Sequence, residues 1–98
     1  LLLLVGDALA ACTAADLGAR LDDAEAAYAA LLGAEDEAAA WSSFEHAVDE
    51  ARTTLACTID VVDGASAARV HLLEGLVRHA EGDDDRATAA WRGSARCR

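Results

Sequence analysis

The chain contains no lysine, no proline and no methionine, and only four of its residues are aromatic. Without proline, no residue breaks a helix from within by removing a backbone donor. Without lysine, all the fixed positive side-chain charge rests on eight arginines. They face 18 aspartates and glutamates, for a formal net charge of −10. Nucleic-acid binding depends on Lys and Arg neutralising phosphates, so this balance speaks against a nucleic-acid partner, and equally against contact with anionic lipid. It favours solubility or a basic partner. Strand formers are scarce too, with β-branched residues scattered apart from the short run Ile59, Val61 and Val62. The three cysteines, Cys12, Cys57 and Cys97, make neither a CxxC pair nor a zinc-ligand spacing. They read as small buried apolar side chains. A Cys57–Cys97 disulfide is expected only if the protein is exported.

What the chain does have is alanine, the best helix former because it loses no side-chain entropy on entering a helix. Its 98 residues make one domain with a modest core. From Thr13 to the end, residues 13–98, the pattern predicts four helices. Thr13 and Asp16 read as a capping box with Asp in place of Glu. Leu17, Leu21, Ala24, Tyr28 and Leu31 then form an apolar stripe, and Gly33 reads as the C-cap. Glu35, Asp36 and Glu37 put negative charge at the start of the second helix. There Trp41, Phe44, Val48, Ala51 and Leu55 recur at +3, +4, +3, +4, the strongest periodicity in the sequence. Glu45, His46, Asp49, Arg52 and Thr53 make its solvated face. The helix is expected to fade through residues 58–62, with Asp63-Gly64 as a turn. Ser66 reads as the N-cap of the third helix. That helix carries Val70, Leu73, Val77 and Ala80, flanked by Leu72 and Leu76, and Gly82 ends it. Asp83, Asp84 and Asp85 open the fourth, where Ala87, Trp91 and Ser94 face inward. Short connections imply antiparallel hairpins.

Residues 1–12 form a separate apolar segment open to two readings. Leu1–Val5 followed by Ala8-Leu9-Ala10 has the form of the end of a secretory signal peptide. Leu9-Ala10-Ala11-Cys12 also resembles a bacterial lipobox, which would place a lipid anchor on Cys12. Alternatively, Leu2, Val5, Leu9 and Cys12 share one face of a first core helix. The balance tips towards an exported cell-envelope protein over a cytoplasmic one. No apolar run approaches the roughly 20 residues needed to span a bilayer, so no transmembrane span is expected. The Ala-rich, Arg-only usage is compatible with a GC-rich bacterial genome.

Residues 72–91 carry a further pattern. Gly75 is followed seven residues later by Gly82-Asp83, and then by Ala87 and Trp91, four apart. This stretch resembles a tetratricopeptide (TPR) repeat, in which a small residue on the first helix admits the second and an aromatic fills the gap between them. His71 and Arg78 stand at the family's Trp and Tyr positions. Residues 17–57 resemble the unit more loosely, through Ala40, Phe44 and Ala47. The resemblance implies an all-α, right-handed superhelix of hairpins with a concave partner-binding groove. It places Asp22, Glu25, Arg69, Leu76 and His79 on that groove.

The residues offer little chemistry besides. His46 with Glu50 lacks the second histidine of a helical zinc motif. His71 and His79 are not placed to share a ligand. Asp83-Asp84-Asp85 lacks the alternating ligands of a calcium loop. No Gly-rich phosphate cradle is present, and no catalytic residue, metal or cofactor is expected. The expected function is a non-catalytic protein–protein interaction or scaffold module, binding a protein or peptide. One alternative is a structural fragment of a larger helical-repeat protein; another is a small thiol-based enzyme.

Overall fold

The computed structural model describes residues 11–97. They form four helices, α1 (Ala14–Leu31), α2 (Glu37–Cys57), α3 (Gly64–Ala80) and α4 (Asp84–Arg96), and no strand among the described residues. The protein is all-α, and its helices pair as two hairpins, α1 with α2 and α3 with α4. α3 also packs, more narrowly, on both α1 and α2, whereas α4 packs on α3 alone. The radius of gyration is 14.7 Å, above the roughly 13 Å of a compact 100-residue domain. The hairpins therefore lie side by side along a molecule 45 × 32 × 21 Å in extent.

Each helix begins on a side chain that satisfies a free backbone N–H. Thr13 and Asp16 form the reciprocal capping box, with the Thr13 hydroxyl accepting from Asp16 N–H at 3.1 Å and the Asp16 carboxylate from Thr13 N–H at 2.8 Å. Asp36 accepts from Ala39 N–H and Asp83 from Arg86 N–H, both at 3.1 Å. Such caps are worth about 1 kcal/mol each. Between α3 and α4 the chain turns in three residues, with Gly82 at φ +81°. Asp83 N–H donates to Arg78 O at 2.9 Å and Gly82 N–H to His79 O at 3.0 Å, which closes the α3 end.

The core is one cluster shared by three helices: Leu17, Leu21 and Ala24 of α1, Phe44, Val48 and Ala51 of α2, and Val70 and Leu73 of α3. Phe44 is fully buried, its ring 5.3 Å from Tyr28 and 5.4 Å from Trp41 between centroids. Alanines at 24, 51, 68, 87 and 90 are also buried, so the helices meet through small side chains. Trp91 lies over Gly75, where an added Cβ would overlap the indole at Nε1, Cδ1 and Cε2. Gly75 is thus the position on α3 that admits the α4 aromatic.

Four expectations are corrected. Asp63, not Ser66, caps α3: its carboxylate accepts Ser66 N–H at 2.6 Å and the helix starts at Gly64. A carboxylate suits the positive end of the helix dipole better than a hydroxyl does. Gly33 is not a left-handed cap, since α1 closes at Leu32 in right-handed geometry. Cys57 is bonded to Cys12, not to Cys97, and Cys97 is free. Cys12 is extended rather than helical, in an isolated parallel bridge to Thr58. A sulfur held in that disulfide is not free to carry a lipid thioether, so the bond and a lipid anchor at Cys12 exclude one another. The rest of the signal-peptide and first-helix readings falls on residues 1–10, outside the described residues. Among the described residues no helix is long and apolar enough to cross a membrane.

Candidate partner-binding surface

Three of the five expected groove residues converge. Arg69 reaches from α3 to α1, where its Nε donates to Glu25 Oε2 at 3.0 Å and its Nη2 to Glu25 Oε1 at 2.7 Å. The same Nη2 donates to Asp22 Oδ1 at 3.2 Å. Asp22 and Glu25 are three apart on one face of α1, which lets both meet one guanidinium. Hydrogen bonding to Glu25, above all, pushes the already high Arg69 pKa further up. The cation is therefore permanent, and it ties the first helices of the two hairpins together.

Leu76 and His79 lie further along α3 and do not join that cluster. Leu76 is half-buried against the core. His79 is exposed at the α3–α4 turn, its Nδ1 2.9 Å from Asp84 Oδ1 and its ring 6.0 Å from the Trp91 ring. The residue the sequence reading left out is Leu72, 37% exposed. Arg69, Leu72, Leu76 and His79 recur at +3, +4, +3, one helical face running about 15 Å along α3 at 1.5 Å per residue. The spacing was a signal for Leu72, but it also fits a core position. Its exposure distinguishes the two.

A second charged cluster spans α2 and α3 on a different side. Glu74 lies between Arg52 Nε at 3.6 Å and Arg78 Nε at 3.9 Å, and Arg78 Nη1 meets Glu81 Oε1 at 3.2 Å. Asp49 is 3.8 Å from Arg52. An open cleft runs beside these residues, lined also by Ser42, Glu45 and His46. Its two guanidiniums, Arg52 and Arg78, are paired with carboxylates and are outnumbered by Glu45, Asp49, Glu74 and Glu81, so the cleft is net acidic and offers no anion site.

The remaining candidates have structural partners. His46 pairs with Glu50 at 3.7 Å along α2. His71 lies against Gly93 of α4. Of the Asp83–Asp85 run, Asp83 caps α4 and Asp84 meets His79. Among the described residues no group of three or more His, Cys, Asp and Glu is placed to hold a metal ion. The surface can present an apolar strip between a fixed charged cluster and an imidazole, which is suited to recognition by contact. Comparison with protein-family models, with curated proteins and with solved structures finds no match to this chain.

Proposed function

We propose that this chain is a non-catalytic interaction module of TPR-like type that holds a peptide along the α1–α3 face. The observation that carries this is the strip Arg69–Leu72–Leu76–His79, with an exposed leucine beside an inter-hairpin ion cluster. Two other features support it: α3 touching both helices of the preceding hairpin, and Trp91 over Gly75, as the repeat resemblance implies. The partner is a peptide whose apolar side chains lie on Leu72 and Leu76 and whose flanks are basic, against a chain of net charge −10. The Cys12–Cys57 bond suits an oxidising compartment and supports the exported reading.

The test selects a binding peptide from a displayed random library and measures its affinity for variants. Leu72→Ser and His79→Ala should each weaken binding about tenfold, or 1.4 kcal/mol. Arg92→Ala, exposed on α4, should leave it within about twofold. Arg69 is a poor probe, because its removal also unties α1 from α3. Equal affinity of the Leu72→Ser and wild-type chains, with both folded, would sink the assignment.

A further inference from the structure

The two hairpins are joined covalently by the segment from Thr58 to Asp63. Its apolar side chains do little to hold its first half: Ile59 is 78% exposed and Val61 95%, and Val62 is the one that packs on the core. The first half is held instead by the residues that lead into α1. Cys12 is bonded to Cys57. Cys12 N–H donates to Cys57 O at 3.0 Å, and Ile59 N–H donates to Cys12 O at 3.3 Å. Ala14 N–H, at the start of α1, donates to the Asp60 carboxylate at 2.8 Å. Four links thus converge on five residues, and the disulfide is the covalent one among them.

We propose that the Cys12–Cys57 disulfide is a redox-controlled latch on the hinge between the hairpins: oxidised, it fixes the Thr58–Asp60 segment to the base of α1, and reduced, it frees the hinge while both hairpins stay folded. The proposal does not depend on the peptide-binding reading. Both cysteines are half-buried residues at the open end of the first hairpin rather than part of the sealed core, the setting that exchange with an external thiol requires. The core cluster contains neither cysteine, so its packing does not require the bond. The reduced state also has a place for its new group, because Cys57 Sγ lies 3.2 Å from the Thr54 carbonyl, an acceptor for the thiol S–H.

The chemistry is an exchange with an external dithiol. Its thiolate attacks one sulfur, the S–S bond breaks, and the other cysteine leaves as a thiolate that takes up a proton. The second thiol of the reductant then closes its own disulfide and releases the attached cysteine as a thiol. Two electrons and two protons pass from the dithiol to the pair. In the reverse direction a disulfide-bearing oxidant takes them back.

The experiment uses the full chain with Cys97→Ser, so that one pair of thiols remains, and follows amide hydrogen exchange before and after dithiothreitol. The Cys12→Ser, Cys57→Ser double variant without reductant provides a second route to the open state. Exchange at Cys12, Ala14 and Ile59 should accelerate about tenfold or more on reduction, with Phe44, Val48, Ala87 and Ala90 little changed. The double variant should match the reduced chain. Unchanged exchange at Ala14 and Ile59 would overturn the latch. So would acceleration shared by all four helices, which would make the bond a staple of the whole fold. Failure of the aerobically purified chain to show the bond by mass and thiol alkylation would overturn it as well.

Discussion

Arg69 on α3 holds Glu25 on α1 in a side-by-side fork, with Nε and Nη2 each bonded to a different carboxylate oxygen. A guanidinium makes this paired geometry and an ammonium does not. The side chains are 33% and 48% exposed, so solvent screens the pair. A double-mutant cycle with Arg69→Lys and Glu25→Gln should give a coupling of about 0.5–1 kcal/mol, falling as salt is added. Coupling indistinguishable from zero at low salt would mean that the Arg69–Glu25 fork adds nothing to the joining of the hairpins.

Gly75 allows a prediction whose sign depends on Trp91. Gly75→Ala forces the indole aside, and overpacking of this kind costs about 1–3 kcal/mol. In a Trp91→Ala background the obstacle is gone. The same change should then stabilise α3, by up to about 1 kcal/mol of helix propensity. Urea unfolding of the four chains checks it, and a change of the same sign in both backgrounds would remove Trp91 as the cause.

Acid should act through the caps. The Thr13 backbone N–H, and then its side chain, hold Asp16 below the ordinary carboxylate value of 3.8; Ser66 does the same for Asp63. A carboxylate whose pKa is depressed by folding adds stability that is complete above its unfolded pKa. That stability is lost as the pH falls through the folded pKa. The urea midpoint should therefore be level from neutrality down to about pH 5 and decline below about 4. Asp16→Asn and Asp63→Asn should each flatten that acid limb. Limbs identical to the wild type would assign the decline to other carboxylates.

Two apolar side chains mark the extremes of sensitivity. Phe44, with no exposed surface and two aromatic neighbours, should cost about 3–5 kcal/mol on truncation to Ala. That is a large part of the roughly 5–15 kcal/mol that holds a domain folded. Val61→Ser, at a site 95% exposed, should stay within about 0.5 kcal/mol. Circular dichroism with urea titration of both variants is the check.

The helices were legible because their signals are local. Thr13 with Asp16, Asp36 and Asp83 each act on an N–H within three residues, and the stripe through Phe44 and Val48 is set by helical period alone. The start of α3 was misplaced, because Asp63-Gly64 has the form of a turn and Ser66 that of a cap, whereas Asp63 caps the helix by accepting the Ser66 N–H. The partner of Cys57 was not legible at all. It depends on the antiparallel return of α2 bringing residue 57 back beside residue 12, 45 positions earlier. The surface was half legible: the repeat resemblance put Asp22, Glu25 and Arg69 on one groove, but that the charge of the two acids is spent on Arg69 follows from how α3 crosses α1.

The chain has two tryptophans, and the fold puts one in each hairpin: Trp41 against Phe44 in α2, and Trp91 over Gly75 in α4. Each hairpin thus carries its own natural fluorophore. With Trp41→Phe and Trp91→Phe in separate chains, the emission of either hairpin can be followed alone through a melt. Cooperativity between the halves then becomes a spectroscopic observable that needs no attached label.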